Sequence, residues 1–305
     1  MNPELVPWTY QQLQARLRQA TAMMGFMTDC VDATLLAQAP HLKIVACALK
    51  GYDSYDVQAC TQAGVWVSIV PDLLTEPTAE LAIGLAISLT RNISAGDALV
   101  RSGQFTGWRA QLYGTGLHQS TVAVLGLGQV GSAIIDRLRG FGCARIVGVD
   151  PARSVAGVES VALEQALACA DYLFLAAPLT ASNRHLIDAD MLQKAKPGQW
   201  IINVGRGSVI DEEALLPILL AGQIGGYAAD VFAFEDWGLK NRPSEVSPAL
   251  RACPNTLFTP HLGSAVERVR RGIELRAADN ILAVLRGEAP SDAINRPSEP
   301  SAITL

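Results

Sequence analysis

The stretch Val122-Ala123-Val124-Leu125-Gly126-Leu127-Gly128-Gln129-Val130-Gly131 decides the fold of this chain of 305 residues. Its apolar first part predicts a buried strand, and the residues that follow predict a helix. The G-x-G-x-x-G pattern between them permits a tight turn, a close backbone approach to a pyrophosphate and close helix packing. The alternative is a glycine-rich turn that holds no ligand. The strand and the helix favour a dinucleotide site, whose predicted cofactor-binding residues are Gly126, Gly128, Gln129, Val130 and Gly131.

A regular alternation of strands and helices surrounds this stretch. Strands are predicted at 121–125, 145–149, 171–176, 199–204, 226–230 and 256–259. Six strands with intervening helices describe a doubly wound parallel Rossmann sheet. We assign residues 95–268 to this nucleotide-binding domain.

The residues before it predict a smaller α/β domain, assigned to 1–94. Apolar runs at 22–27, 42–48 and 65–69 predict strands that alternate with helical stretches. A helix predicted at about 266–286 leaves the Rossmann sheet, so residues 269–305 return to the first domain and make it discontinuous. The tail after Arg286 is rich in Pro, Ser and Ala and is expected to be loose.

A long helix is predicted from Pro77 to about Asn92, because proline is compatible with the first turn of a helix. Its apolar residues surround the helix axis, which indicates a helix buried between domains or subunits. Residues 93–118 are expected to form an extended connection that has a functional or docking role.

Composition excludes several other classes of protein. The net charge is −5 and no basic block stands out, which argues against nucleic acid as a partner. The six cysteines form no C-x-x-C pair, so neither a metal site nor a redox disulfide is expected. They suit the reduced thiols of a cytoplasmic protein. No signal peptide is evident at the start, and the run Leu81–Leu89 is too short to span a membrane.

Asp150 ends the strand that follows the glycine pattern. A carboxylate at this place accepts hydrogen bonds from the adenosine ribose and repels a 2′-phosphate, which favours NAD over NADP. Arg153, three residues on, could instead pair with that phosphate. The other interpretation of Asp150 is a surface turn residue before Pro151.

Arg206, Glu235 and His261 each follow a predicted strand of the same sheet, where such folds bind ligands. An arginine can hold an anion by two parallel hydrogen bonds, although alone it is equally well a structural residue. A carboxylate beside a histidine orients the ring and favours its charged form, as acid–base catalysis requires. The remaining histidines have no such setting and are interpreted as structural or solvated: His41, His118 and His185.

These motifs together resemble the D-2-hydroxyacid dehydrogenase family, and the match covers most of the chain. The resemblance implies hydride transfer to or from NAD, with Arg206 binding the substrate anion and His261, aided by Glu235, moving the proton. It also implies a homodimer, formed through the helix at 77–92 and the arm at 93–118. Further cofactor-binding residues on this basis are Pro178, Val204 and Asp230.

A narrower resemblance, to phosphonate (phosphite) dehydrogenases, rests on segments such as Leu49-Lys50-Gly51-Tyr52-Asp53 and Glu235-Asp236-Trp237. It implies oxidation of phosphite by NAD⁺ and water to phosphate and NADH. Lys50 then joins Arg206, Glu235 and His261 as a catalytic residue and a second cation on the substrate. The implied substrate-pocket residues are Met27, Leu49, Trp108, Tyr113 and Ser264.

Two other functions stay open. One is a NAD-dependent D-2-hydroxyacid dehydrogenase or 2-keto acid reductase, and the other is an inactive NAD-sensing scaffold. The smaller domain departs from the family, whose flavodoxin-like substrate domain opens with a strand and helix ahead of the segment matching residues 4–27. We therefore expect it to lack its first β-α unit and to expose a sheet edge.

Overall fold

The computed structural model describes residues 6–297 of the chain. Its strands are β1 (Ala22–Gly25), β2 (Ile44–Cys47), β3 (Trp66–Ser68), β4 (Thr121–Leu125), β5 (Arg145–Val149), β6 (Glu159–Ser160), β7 (Tyr172–Leu175), β8 (Trp200–Asn203), β9 (Gly226–Ala229) and β10 (Thr256–Phe258). Its α-helices are α1 (Tyr10–Leu17), α2 (Ala33–Leu36), α3 (Val57–Gln62), α4 (Thr75–Thr90), α5 (Ile93–Arg101), α6 (Gln129–Leu138), α7 (Leu163–Cys169), α8 (Ala189–Gln193), α9 (Glu212–Leu220), α10 (Pro248–Ala252) and α11 (Glu267–Leu285). Short 3₁₀ turns form at Arg139–Phe141, Gly207–Val209 and Ala233–Glu235.

The chain forms two compact units. The smaller one comprises the residues up to Leu74, the segment Asp236–Arg242 and the residues from Val266 onward. The larger one comprises Thr75–Glu235 and Pro243–Ala265. The α/β class predicted from the sequence is confirmed, with one parallel sheet in each unit.

The smaller unit is built on a parallel sheet of order β1-β2-β3. All four residues of β2 are buried, because the sheet is covered on both faces. Ile44 and Ala46 pack against Ile273 and Ala277 of α11. Val45 faces the opposite cluster, which includes residues of α1, α2 and α3. The strand order places β1 at an edge of the sheet.

The segment after α11 is ordered, and the prediction of a loose tail is wrong for residues 287–297. The backbone N–H of Ile69 donates to the carbonyl of Asp292, and that of Ile294 donates to the carbonyl of Val67. Asn295 accepts from the Val67 N–H at 2.7 Å and donates to the carbonyl of Val65. These hydrogen bonds pair backbone N–H and C=O groups along the free edge of β3 and hold the segment in place. The last part of the predicted tail, residues 298–305, lies outside the described residues.

The larger unit has a seven-stranded parallel sheet of order β10-β9-β8-β7-β4-β5-β6. The predicted strands are confirmed, and β6 is an addition that the sequence pattern did not predict. Alternate residues of β4 point to opposite faces: Val122 and Val124 join the core under α4 and α6, whereas Ala123 and Leu125 join the core under α7, α8 and α9. The strand order reverses between β4 and β7, and in such sheets ligands bind at the carboxyl ends beside this reversal.

Two expectations for residues 75–118 need correction. Helix α4 is buried within its own unit, since Ala79, Ala82 and Ala86 pack in one core with residues of α6 and of the sheet. It therefore does not need a second domain or subunit to cover its apolar residues. The following segment is not wholly extended, because its first part forms α5, which has no buried residue and carries an Arg101–Asp97 ion pair.

The six cysteines are all free thiols, and Cys47, Cys60 and Cys253 are buried. Burial raises the pKa of the Cys60 thiol to about 12 and that of Cys47 further still, so neither is a thiolate at neutral pH. Among residues 6–297, no helix has both the length and the apolar character needed to cross a membrane.

Candidate active site

The loop between β4 and α6 begins the site, at the carboxyl end of a central strand. A Cβ atom at Gly131 would overlap the carbonyl oxygen of Gly126, so only glycine lets the first turn of α6 pack this closely on the loop. Helix α6 begins after Gly128, with no side chain capping its first amides. Gln129 and Val130 form its first turn. These N–H groups are the donors that a phosphate group accepts at a helix start.

Asp150 follows β5 and faces this loop. One carboxylate oxygen accepts the N–H of Leu127 at 2.8 Å, and the other accepts those of Ala152 and Arg153 at 2.9 and 3.0 Å. Partial burial acts to raise the pKa of Asp150, but these amides and the charge of Arg153 outweigh it, and the pKa falls below its ordinary value. The group is ionised, and its roughly four acceptor positions leave room for a further donor such as a ribose hydroxyl.

Arg206 follows β8 in a loop that is held by Asn203, the buried last residue of that strand. The Asn203 amide donates to the carbonyl of Arg206 at 3.0 Å, and its oxygen accepts the N–H of Gly205 at 3.1 Å. The guanidinium of Arg206 donates to the carbonyl of Gly205 at 3.0 Å. The side-chain amide thus replaces water as the partner of the loop backbone and fixes the position of the arginine.

Glu235 lies in the 3₁₀ turn Ala233–Glu235 that follows β9. Its Oε2 accepts the N–H of Phe232 at 3.2 Å. The same turn is held from a second side, because Oε1 of Glu212, at the start of α9, accepts the N–H of Ala233 at 3.2 Å. A Cβ atom at Gly207 would overlap the backbone of Phe232 and Ala233. The loop of Arg206 and the turn of Glu235 are therefore in direct backbone contact.

His261 follows β10, and its Nδ1 lies 3.3 Å from Oε1 of Glu235. The two side chains are 26% and 21% exposed, so the pair is partly shielded but still accessible to a small substrate. A carboxylate can only accept, so Nδ1 carries the proton in this contact and Nε2 is the ring atom left to exchange one. His261 adopts φ of 55°, a left-handed conformation that is uncommon for a residue other than glycine.

Asp230, at the end of β9, holds the residues around His261. Its carboxylate accepts the hydroxyl of Thr259 and the N–H groups of Leu262 and Gly263, at 2.7, 2.6 and 2.8 Å. Its own carbonyl accepts the N–H of His261 at 3.0 Å. Burial raises the pKa of Asp230, although these hydrogen bonds and the charge of His261 act to lower it. These bonds fix the His261 loop, and the predicted contact of Asp230 with the cofactor stays a prediction.

The remaining predicted residues are distributed over both units. Pro178 follows β7, and Val204 is buried after β8, both at carboxyl ends near the strand reversal. Ser264 is half-buried three residues after His261, whereas Trp108 and Tyr113 are 77% and 74% exposed. Three lie in the smaller unit, where Lys50 and buried Leu49 follow β2 and half-buried Met27 follows β1. Their roles in a substrate pocket stay predictions.

Sequence reasoning assigned no role to two residues that shape the site, Asn203 and Glu212. Asn203 could have been found, because a polar residue ends an otherwise apolar strand. Glu212 carried no such signal, since an acidic residue at a helix start is ordinary. The contact that distinguishes it joins two residues 21 positions apart.

The residues present fit a nicotinamide dinucleotide. The glycine cradle, the uncapped start of α6 and the ionised Asp150 suit its pyrophosphate and ribose. Arg206 supplies a positive charge, and the Glu235–His261 pair supplies a proton donor and acceptor. This set of groups is suited to hydride transfer between the cofactor and a small anion.

Comparisons with known proteins agree with the assignment of a nicotinamide dinucleotide site. The sequence profile described as "D-isomer specific 2-hydroxyacid dehydrogenase, NAD binding domain" matches residues 83–263. The chain is 34% identical to a glyoxylate reductase of Thermococcus litoralis, over 93% of this chain and 86% of the relative. It is 34% identical to a glyoxylate reductase of Aeropyrum pernix, over 95% and 87% of the two chains.

A similar architecture occurs in a crystal structure of a protein from Thermus thermophilus. The TM-score is 0.88 at 31% sequence identity, and the match covers 95% of this chain and 91% of the other. Both compact units therefore have counterparts in a solved structure.

Proposed function

The chain belongs to the D-isomer specific 2-hydroxyacid dehydrogenase family, and we propose that it is a NAD-dependent reductase of small 2-keto acids, glyoxylate among them. The observation that most strongly supports this proposal is the 3.3 Å contact between His261 and Glu235. This pair lies in the same unit as the nucleotide loop and Arg206. A module that only bound NAD would need neither an arginine nor a charged proton donor at the strand ends.

The proposed reaction reduces the carbonyl group of the 2-keto acid to a hydroxyl. A nicotinamide dinucleotide held by the glycine loop and Asp150 would supply a hydride to the carbonyl carbon of the 2-keto acid. Arg206 binds the substrate carboxylate, because a guanidinium matches its two oxygens and remains charged at any working pH. His261 donates the Nε2 proton to the carbonyl oxygen as negative charge develops there. The products are the 2-hydroxy acid and NAD⁺.

Glu235 has the supporting role in this mechanism. It accepts the Nδ1 hydrogen of His261 and so fixes both the tautomer and the orientation of the ring. Asp230 keeps the backbone of His261 in its left-handed conformation through the flanking amides.

The glyoxylate reductases described above support this substrate class, and they favour the keto-acid alternative over the phosphite reaction. Phosphite remains a second candidate, since Lys50 follows β2 at the carboxyl end of that strand. A second cation suits a dianion such as phosphite better than it suits a monocarboxylate. A carboxylate substrate needs only Arg206.

The distinguishing experiment measures NADH consumption with glyoxylate and larger 2-keto acids, and NADH formation with phosphite. Wild-type protein is expected to reduce a 2-keto acid, and Arg206→Ala is expected to lose that activity. Turnover of phosphite alone would replace the proposed substrate. NAD binding without turnover of either class would support the inactive scaffold instead.

We also propose a homodimer, on the basis of an apolar surface in the larger unit. Helix α5 and the residues after it expose Ile93, Val100, Phe105, Trp108 and Tyr113 by 48–77%. Exposed apolar side chains concentrated in one segment favour an interaction site, and family resemblance favours a second copy as its partner. A monomer mass in light scattering at micromolar concentration would contradict this proposal.

A further inference from the structure

Glu212 lies at the first position of α9, but its carboxylate is not used to cap that helix. Asp211 does so, because its side chain accepts the N–H groups of Glu213 and Ala214. The Glu212 carboxylate instead accepts the N–H of Ala233 at 3.2 Å, in a partly buried contact across 21 residues. Neighbouring Glu213 is exposed. Two adjacent acids of one helix start thus have different surroundings.

The turn that Glu212 holds is the one that presents Glu235. Consecutive amides of this segment are bound by two carboxylates, the Phe232 N–H by Glu235 and the Ala233 N–H by Glu212. The first bond orients the Glu235 carboxylate locally. The second fixes the whole turn relative to α9, the helix that begins just after the Arg206 loop.

We propose that Glu212 is a positioning residue for the Glu235–His261 pair, and that it acts through the backbone N–H of Ala233. This inference rests on the proposed function only where it predicts the effect of Glu212 on the rate of 2-keto acid reduction. The Nδ1–Oε1 separation is 3.3 Å, at the long limit of a hydrogen bond, so a small displacement of the turn breaks the contact. Misplacement of a catalytic group by about 1 Å lowers the rate roughly 100-fold.

The contact of Gly207 with the same turn strengthens the inference. Because the Gly207 backbone abuts Phe232 and Ala233, the turn cannot move toward the Arg206 loop. Glu212 restrains it from the side of α9. Two restraints therefore set the distance between Arg206 and the Glu235–His261 pair. One is the steric contact of Gly207, and the other is the hydrogen bond from the Ala233 N–H to Glu212.

Three substitutions separate this role from a general effect of charge or folding. Glu212→Ala removes the acceptor, and Glu212→Gln retains an acceptor oxygen without the charge. Glu213→Ala removes the same charge from the same helix start without touching the turn. If Glu212→Ala does not fold, Glu212→Met removes the acceptor while keeping the side-chain length.

The kinetic experiment measures kcat and KM for 2-keto acid reduction, with NADH affinity determined separately by fluorescence. Glu212→Ala is expected to lower kcat roughly 10- to 100-fold, with KM and NADH affinity changed less than about threefold. Glu212→Gln and Glu213→Ala should retain most of the wild-type kcat. An unchanged kcat in Glu212→Ala, or equal losses in Glu212→Gln or Glu213→Ala, would overturn the proposal.

A spectroscopic measurement tests the same proposal without any substrate. The imidazole Nδ1–H proton signal of His261 is identified in the NMR spectrum by its loss in His261→Gln and its change in Glu235→Gln. Glu212→Ala should shift or broaden this signal, and Glu213→Ala should leave it in place. A signal at the wild-type position in Glu212→Ala would contradict the positioning role, even if no 2-keto acid is turned over.

Discussion

Nδ1 of His261 lies 3.3 Å from Oε1 of Glu235, and the two residues reach this contact from the ends of different strands. Glu235 follows β9 and His261 follows β10, which are neighbours in the parallel sheet. The pair is held from both sides, since Asp230 binds the amides beside His261 and Glu212 binds the turn of Glu235. The arrangement is therefore built in advance of any substrate, as proton transfer requires.

The charge of Glu235 is the first feature to test. Glu235→Gln keeps an acceptor for the Phe232 amide but loses the negative charge beside His261. We expect kcat for 2-keto acid reduction to fall roughly 10- to 100-fold, with NADH affinity unchanged. Steady-state kinetics and fluorescence titration measure the two quantities. Glu164→Gln, at an exposed position of the same unit, is the control and should behave as wild type.

Arg206→Lys tests the geometry of anion binding. Lysine keeps the positive charge but cannot form two parallel hydrogen bonds with one carboxylate. Loss of one charge-assisted bond is expected to raise KM roughly 10- to 100-fold. Arg184→Lys changes an exposed arginine of the same unit and should leave KM unaltered. An Arg206→Lys enzyme with wild-type KM would show that the substrate anion is held elsewhere.

Asp150 is expected to set the preference for NAD over NADP. Its ionised carboxylate would repel a 2′-phosphate, and the Nη1 of Arg153 lies 3.2 Å from the Cβ position at Gly128, beside the same loop. Asp150→Ser should weaken use of NADH roughly 10-fold and improve use of NADPH, which Arg153 can then bind. The ratio of kcat/KM with the two cofactors measures the change. Asp136→Ser, on the exposed side of α6, should not alter that ratio.

Because Asp292 pairs with Arg276, we expect the smaller unit to lose stability at acidic pH. Two bonds from the Arg276 guanidinium, at 2.7 and 2.8 Å, lower the pKa of Asp292, and Asn280 adds to the effect against partial burial. A lowered pKa in the folded state stabilises the protein above the unfolded pKa, near pH 4. That stabilisation is lost as the pH falls through the folded pKa.

Asp292→Ala should accordingly reduce the free energy of unfolding at neutral pH by about 2–3 kcal/mol and flatten its acid dependence. Urea denaturation at neutral and acidic pH measures both effects. The control is Asp97→Ala, which removes an exposed ion pair with Arg101 and should alter stability by less than about 0.5 kcal/mol. Equal losses in the two variants would contradict the role assigned to Asp292.

The sequence predicted well those strands and helices whose apolar side chains are buried in a regular pattern. Strands β4, β7 and β8 are apolar on both faces because helices cover both, and a continuous apolar run bounded by glycines or polar residues is their signature. Strand β6 was missed because its two residues, Glu159 and Ser160, are exposed. Helix α5 was also missed, and it is a helix that buries none of its residues.

The residues of the site also divide into those that the sequence could identify and those that it could not. Gly126, Arg206, Glu235 and His261 could be identified because each follows a predicted strand, so the topology of the sheet gathers them. Glu212 could not, since its role depends on the exact placement of the Ala233 amide. The segment around Asp292 was also misjudged, because its composition is that of a loose tail while its hydrogen bonds to β3 are long-range.

The most direct test of the account is NADH oxidation with glyoxylate by wild-type protein beside His261→Asn. Wild-type protein should consume NADH in proportion to the 2-hydroxy acid formed. His261→Asn should bind NADH equally well but turn over at least about 100-fold more slowly, because the proton donor is gone. Undiminished turnover in His261→Asn, or none in wild-type protein that binds NADH, would contradict the proposed function.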